Sequence, residues 1–549
     1  MNRIAIISHV RGASDVCKQV RSSKTHRPLT ALFLTALLLQ LAPAAAQKLE
    51  PQMGGTLVVA QVGTPRSMND IIDPGMPGIA ILNITNEGLL AMTVEGEIVP
   101  VLATDLPEQP DDLTLIFTLR DDVVFHSGEP LTAEDVVYTL ERLYGPDSIA
   151  TFRAVWQENI ANAEVLDDGR VKVTLKQPWP ISLSFFAGNH SKIVNKSFVE
   201  AAGDKYGVSL WDGTGPFKIK EWVKDSHVTV VRNDNYWIKG KPYLDSIEFR
   251  VIPEPSTQLA AYQTGEVDLL LEPSFGQISV FERFPNTTIA QGPSAAESIL
   301  TFRTQIAPMD DARVRRAISL AIDRQALIDG VLGGRGSLGG SIFPPYHWAH
   351  DPTIVVERDV EQARELLVEA GYDKNNPLRF TLVPLNEPLF VNQATLIQRQ
   401  LAEAGIDMKI VQLEYTSASA MTAGPQAEWL GDAAMYRITP LRGTAFEFSW
   451  YQYDSKGPLN RSRYNVDGLD NARVEDLLNQ ASKLSDYNAD QRAEAKVLYD
   501  EANRLILEDA PQLVLNFWDT VNVVSSAVHG FVPSPVNLPS FTEVWMEGR

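Results

Sequence analysis

Cysteine is almost missing from this chain: Cys17 is the only one, and it sits in a segment expected to be removed. The remaining body then has no thiol, which excludes disulfides, thiolate catalysis and zinc sites built on cysteine. Basic charge is also scarce, with 48 Lys and Arg against 69 Asp and Glu for a net charge of −21, and no clustered basic stripe interrupts the acidic background. Nucleic acids are bound mainly through basic grooves, so that function class is excluded. Only one long apolar run occurs, Leu29 to Leu41, and its 13 residues fall short of the roughly 20 that span a bilayer as a helix. No P-loop, H-E-x-x-H or G-x-S-x-G string is present.

At 549 residues the chain is too long for one core, so two or three domains are expected. Its 44% hydrophobic and 21% charged content is that of an ordinary globular protein. Before the apolar run stand Arg3, Arg11, Lys18, Arg21, Lys24 and Arg27 against Asp15 alone, and Ala44, Ala45 and Ala46 follow it. A basic lead, a short apolar core and small residues make a secretory signal peptide, cut after Ala46. Removing its net charge of +5 takes the mature chain from −21 to −26. With no cysteine after the apolar run there is no site for a lipid anchor, so a freely soluble periplasmic protein is expected.

Along the body, Gly55 to Ala60 and Thr114 to Arg120 read as strands, ILNITNEGLLAM as a helix, and Val171 to Leu175 as an alternating strand. Thr132 and Asp135 form a capping box of the acid type, which predicts a helix from Ala133 that Gly145 and Pro146 end. Apolar residues at helical spacing predict one long helix from Arg313 to a left-handed stop at Gly333 and Gly334. A shorter helix is expected from Asp359, and another from Ala394 that leads into a strand at Met408 to Leu413.

Two segments are more specific than these elements. One is FTLRDDVVFHSGEPLTAEDVVYTLERL, Phe117 to Leu143. The other runs from Gly213 to Leu270 and contains GTGPF and RNDNYW, with Gly213, Gly215, Pro216, Asn233, Tyr236 and Trp237. With MDDARVRRAISLAIDR, RDVEQARELLVEAGY and LAEAGIDMKI following in order, the chain resembles the extracytoplasmic solute-binding proteins of dipeptide, oligopeptide and nickel ABC importers, family 5 of cluster C. The resemblance implies an α/β, two-lobed periplasmic-binding-protein type II fold with an additional subdomain inserted in lobe one. By it, lobe one takes 47–85, 210–300 and 512–549, the insertion 86–209, and lobe two 301–511. The chain is then expected to cross between lobes near Leu300 and Pro511, forming a hinge that closes on a ligand. It further implies a monomer that takes no cofactor, makes or breaks no bond, and hands its ligand to ABC permease subunits at the membrane.

The candidate ligand residues fall in Glu428 to Asp454 and just beyond Pro511. In peptide-binding relatives the first stretch carries an acid that grips the ligand's α-amino group, whereas this chain has Tyr436, Arg437, Ile438, Thr439, Pro440, Leu441 and Arg442. A guanidinium is a planar, permanently charged fork, so Arg437 or Arg442 in a cleft selects an anionic group. The alternative is that both pair with local acids such as Asp432 and Glu447 or face solvent. Trp429, Tyr436, Trp450, Tyr453 and Trp518 are candidate aromatic walls, with core packing as the alternative, and Asn516 is placed with Trp518 past the second crossing.

Other suggestive strings have plain readings. Asp310 with Asp311, and Glu266 with Asp268, read as a helix N-terminus and a solvated strand entry rather than catalytic pairs. His347 and His350 lie between prolines, which argues against a helix that aligns them on a metal. GRGSLG, Gly334 to Gly339, follows a helix instead of a strand and reads as a flexible connection, not a dinucleotide loop. The reading is thus a receptor for a short peptide or peptide-like solute. A receptor for an anionic opine, sugar phosphate or oligosaccharide is the alternative within the fold, and a secreted carboxylate hydrolase the alternative outside it.

Overall fold

The structure is a computed structural model that describes residues 50–72, 75–93, 97–440, 442–466, 471–486, 488–536 and 538–548. The expected export signal, residues 1–46, lies outside the described residues.

Two mixed sheets organise the fold. The first has seven strands in the order Thr287–Gly292, Thr520–Ser525, Leu269–Leu271, Thr56–Gln61, Ser246–Val251, His227–Arg232, Phe217–Val223. Thr56–Gln61 runs parallel to both of its neighbours, and every other pairing is antiparallel. Leu269 to Leu271 are all buried, as a central strand covered on both faces requires. Asp268 at its start is itself buried rather than solvated, and its Oδ2 accepts the Val58 N–H at 3.0 Å.

The second sheet has six strands, in the order Gly336–Leu338, Gln512–Trp518, Glu297–Phe302, Ala433–Ile438, Arg379–Pro384, Asp407–Ile410. Its core gathers Leu300, Phe302, Val314, Ile318, Leu327 and Leu515. The chain passes from the first sheet to the second between Gly292 and Glu297, and returns between Trp518 and Thr520 across Asp519 alone. Both switches are displaced from the expected crossings near Leu300 and Pro511. Gln512–Trp518 pairs along Glu297–Phe302, so Asn516 and Trp518 lie before the second switch, not after it.

A smaller antiparallel sheet, Glu108–Asp111, Thr114–Phe117, Val171–Leu175 and Ile160–Val165, packs against the helix Ala133–Tyr144 within the expected insertion range 86–209. That helix opens on the expected capping box: Thr132 Oγ1 accepts the Asp135 N–H at 3.3 Å, and Asp135 Oδ2 accepts the Thr132 N–H at 2.9 Å. Beneath it Trp156 meets Phe185 and Phe186 edge-on at 5.6 Å, a preferred geometry for ring pairs.

Several elements differ from the sequence reading for local reasons. The helix expected over ILNITNEGLLAM stops at Thr85, and Leu90–Met92 is a short strand. The long helix from Arg313 is two, Ala312–Ala321 and Arg324–Val331, because Asp323 caps the second by accepting the Ala326 N–H at 2.9 Å. Asp311 likewise caps the first, accepting the Arg313 N–H at 2.8 Å. The helix expected from Ala394 begins at Pro388, whose fixed φ suits the first helical position. GRGSLG is not a flexible connection: Gly336–Leu338 is the edge strand of the six-stranded sheet, paired with Gln512–Trp518.

Candidate functional site

The floor of the site is built where the helix Gly75–Thr85 meets the GTGPF turn. A Cβ on Gly213 would lie 2.3 Å from the Thr85 carbonyl oxygen, and one on Gly215 would lie 2.6 Å from the Ile84 carbonyl oxygen, so only glycine permits this approach of backbone to backbone. The turn is then pinned from two sides. Gly215 O accepts from His126 Nε2 at 3.0 Å and from Asn233 Nδ2 at 3.0 Å, while the His126 N–H donates to Gly213 O at 2.7 Å. Burial pushes the His126 imidazole down to about 4, so a neutral ring makes these bonds.

This packing delivers three donors to one carboxylate. Glu87, just past the helix, is buried, and Tyr236 Oη donates to its Oε1 at 2.8 Å. Thr214 Oγ1 and Trp237 Nε1 donate to its Oε2 at 2.9 and 3.0 Å. Burial pushes the Glu87 carboxyl up, and the three donors pull it back toward the ionised form. Arg120 lies over the Trp237 ring at 4.2 Å and holds the indole in place.

Above this floor opens a cavity of about 810 Å³. One wall comes from the first lobe and its insertion, with Asn83, Glu87, Lys192, Tyr236 and Trp237; the other comes from the second lobe, with Tyr346, Trp348, Arg442, Asp486 and Arg492. The volume lies within the roughly 300–1,000 Å³ of small-molecule sites. Burial lowers the Lys192 ammonium to about 8 and raises the Asp486 carboxyl to about 6. Asp486 Oδ2 accepts the Ala445 N–H at 2.9 Å, and its backbone oxygen accepts from Arg492 Nε.

Of the eight residues singled out from sequence, Arg442 alone lines this cavity. Its side chain is committed: Nη1 donates to Glu447 at 2.8 Å, both partners are buried, and the guanidinium lies 4.1 Å from the Phe185 ring centre and 4.6 Å from that of Phe152. Arg437 is exposed and 3.7 Å from Glu272, and with Tyr436 it borders a separate pocket of about 100 Å³. Trp450 stacks on Phe446 at 4.8 Å, and its Nε1 donates to Asn479 at 3.3 Å. Trp429 and Tyr453 are buried, Trp518 packs against Phe390, and Asn516 Oδ1 accepts from Gln393 at 3.5 Å.

His347 borders the cavity, stacked 5.2 Å from Phe343, and burial pushes its ring down to about 3. His350 Nδ1 instead meets the Phe343 carbonyl at 2.9 Å, so the pair does not converge. Among the described residues no three His, Cys, Asp or Glu side chains come together in a way that could hold a metal ion.

Sequence reasoning missed Glu87, Lys192, Asp486 and Arg492. Glu87 was absorbed into an apparent helix, although RNDNYW and GTGPF together announce buried donors that need an acceptor. Lys192 sits in an irregular loop with no periodicity to mark its face.

A binding cavity between two α/β lobes, floored by a buried polar cluster and walled by charges of both signs, defines a two-lobed receptor for a small solute. The chain belongs to the bacterial extracellular solute-binding proteins of family 5: the model for "Bacterial extracellular solute-binding proteins, family 5 Middle" matches residues 97–459. Over 524 residues it is 27% identical to the glutathione-binding protein GsiB of Salmonella typhi, covering 92% of this chain and 96% of the relative. The periplasmic binding protein DppA of Helicobacter pylori, solved with the peptide STSA, superposes with a TM-score of 0.77 at 27% identity, covering 90% of this chain and 99% of that one. AgaA from A. tumefacien R10, solved with agropinic acid, gives a TM-score of 0.75 at 26% identity over 90% of this chain and 99% of its own. Among the described residues no helix is long and apolar enough to cross a membrane.

Proposed function

We propose that the protein captures a short peptide or peptide-like solute outside the cytoplasm and delivers it unchanged to an ABC import permease. The observation that carries this reading is the interlobe cavity of about 810 Å³, whose walls carry charge of both signs, with the carboxylate Asp486 and the cations Lys192 and Arg492. A zwitterion with apolar side chains complements such a wall, and Trp237, Tyr346 and Trp348 supply flat apolar surface. The ligand bridges the lobes and shifts the population toward the closed form that the permease reads. Glutathione and STSA, the ligands in the names of two relatives, support peptide chemistry.

The matching experiment is a thermal-shift screen of di- and tripeptides against the purified mature protein, followed by mass spectrometry of the recovered peptide. Stabilisation with the peptide returned intact supports a receptor. Cleaved peptide defeats it in favour of a hydrolase, and no stabilisation by any peptide defeats the choice of solute.

A second reading is an anionic opine-like solute, favoured by the likeness to AgaA and by a wall with three cations, Lys192, Arg442 and Arg492, against two acids. In either case Arg442 acts as a brace, since Glu447 and the two phenylalanine rings already engage it. Stabilisation by a zwitterionic peptide with none by an opine-like acid would count against the anionic reading. The protein is further proposed to be a monomer, cut near Ala46 and carrying no acyl group, because its only cysteine precedes the cut. N-terminal sequencing and intact mass of the exported protein test this. We also propose lobe boundaries near the sheet switches, 293–296 and 519.

A further inference from the structure

Lys192 is a buried cation whose charge the fold leaves incompletely answered. It is 5% exposed, and among the described residues its Nζ makes one hydrogen bond, a long one of 3.4 Å to Asn83 Oδ1. Among the described residues no carboxylate comes within ion-pair distance of it. Asp70 and Glu87 act on it only from further off, and the Glu87 oxygens are already occupied by Tyr236, Thr214 and Trp237. An ammonium has three N–H donors, and burying it with one weak partner is costly unless something else supplies the acceptors. Lys192 lies on the wall of the large cavity. Asn83 lies there too, and with its Oδ1 turned to the ammonium its amide NH₂, which makes no hydrogen bond among the described residues, can donate beside it.

Taking the cavity as the solute site, we infer that Lys192, with the Asn83 amide, is a carboxylate anchor on the first-lobe wall, so that the solute must present a carboxylate there. The solute oxygens accept from the ammonium and the amide, and the carboxylate supplies the counter-charge that the protein withholds. This assigns the anion-binding role to a residue of the insertion rather than to Arg437 or Arg442. It also orients the ligand, with its carboxylate toward the insertion and its cationic end free for the Asp486 side. The anchor acts while Lys192 is protonated. Its value, lowered by burial to about 8, therefore makes carboxylate affinity fall as pH rises beyond that point, whereas an arginine in its place abolishes the fall.

The test uses the mature full chain and calorimetric titration with trialanine, trialanine amide and succinate, on wild type, Lys192→Met and Lys192→Arg. The amide is expected to bind wild type at least tenfold more weakly than the free acid. Lys192→Met should lose about tenfold for the acid and bind acid and amide alike, while Lys192→Arg keeps the preference. Unliganded Lys192→Met should melt no lower than wild type, since it removes an unanswered buried charge; a purely structural lysine would instead lower the melting point. Equal binding of acid and amide by wild type, or preserved discrimination in Lys192→Met, overturns the anchor while leaving a peptide receptor intact. Binding of succinate in a Lys192-dependent way with neither peptide bound supports the anchor and defeats the peptide reading. Silence toward all three probes overturns both.

Discussion

Replacing Glu87 by glutamine removes a charge and almost no volume, so the cost isolates what the three donors around it require. The Tyr236 and Thr214 hydroxyls can turn and accept from an amide, but Trp237 Nε1 can only donate, and it is 3.0 Å from Glu87 Oε2. The glutamine oxygen must therefore face Trp237 and Thr214, and its NH₂ then donates to Tyr236 Oη, so every group keeps a partner and the change tests the charge itself. Loss of charge-assisted strength in the three bonds costs stability, and relief of the buried charge offsets part of it, for a net cost of about 1 kcal/mol. Glu87→Ala strands all three donors and is expected to cost about 4 kcal/mol. Urea unfolding at pH 7, followed by tryptophan fluorescence, measures both. In the Trp237→Phe background the Glu87→Gln cost should shrink, because one of the three charge-assisted bonds is already gone. A Glu87→Gln variant within about 0.5 kcal/mol of wild type would refute the reasoning. It would mean that burial has already protonated the carboxyl and that no ionised acceptor organises the floor.

Three further outcomes can be measured on the same footing. Arg442→Met leaves Glu447 buried without its cation and should lose about 3–5 kcal/mol, at least half of it recovered in Arg442→Met/Glu447→Gln; a single variant within about 1 kcal/mol of wild type would show that the pair is not the brace described. Gly215→Ala drives a Cβ against the Ile84 and Thr85 backbone and should cost about 1–3 kcal/mol or more by urea unfolding, so unchanged stability would contradict the close approach. His126 titrates near 6.5 when unfolded and about 4 when folded, so the unfolded state binds more protons between those values and stability falls as pH drops through that window. By pH 5 this amounts to about 2 kcal/mol. The difference between wild type and His126→Gln should therefore narrow on going from pH 7 to pH 5, and a constant difference would rule out the neutral buried ring.

The fold was legible in the sequence where local chemistry and tertiary packing agree. Thr132 and Asp135 satisfy each other's backbone N–H, so the capping box placed the helix at Ala133 to the residue, and the alternation of Val171 to Leu175 matches its strand. Reading failed where a polar residue served two masters. Asp323 looks like one more surface acid on a continuous helix until its carboxylate is seen capping a second one. The GRGSLG string lacks a side-chain pattern, and only pairing with Gln512–Trp518 makes it a strand. The binding wall was harder still. Tyr453, Asn516 and Trp518 share composition with ligand-contacting residues, but strand periodicity says which residues share a face and not whether that face meets a cavity or a helix. Lys192 and Glu87 become neighbours through a bridge between Gly88 and Lys192, a contact more than a hundred positions apart in the chain that no local signal encodes.

The return path between the sheets consists of Asp519 alone, flanked by Trp518 in one sheet and Thr520 in the other, and the outgoing path is tied to it where the Trp518 N–H meets the Ala296 oxygen at 3.2 Å. A link one residue long contributes two soft torsions and spans no more than about 7 Å. The two halves can therefore pivot about this corner but cannot drift apart, and the aperture through which cargo enters is governed by an angle. Inserting a pair of glycines after Asp519 would add translational slack, and the molecule would trade a well-defined swing for a loose tether.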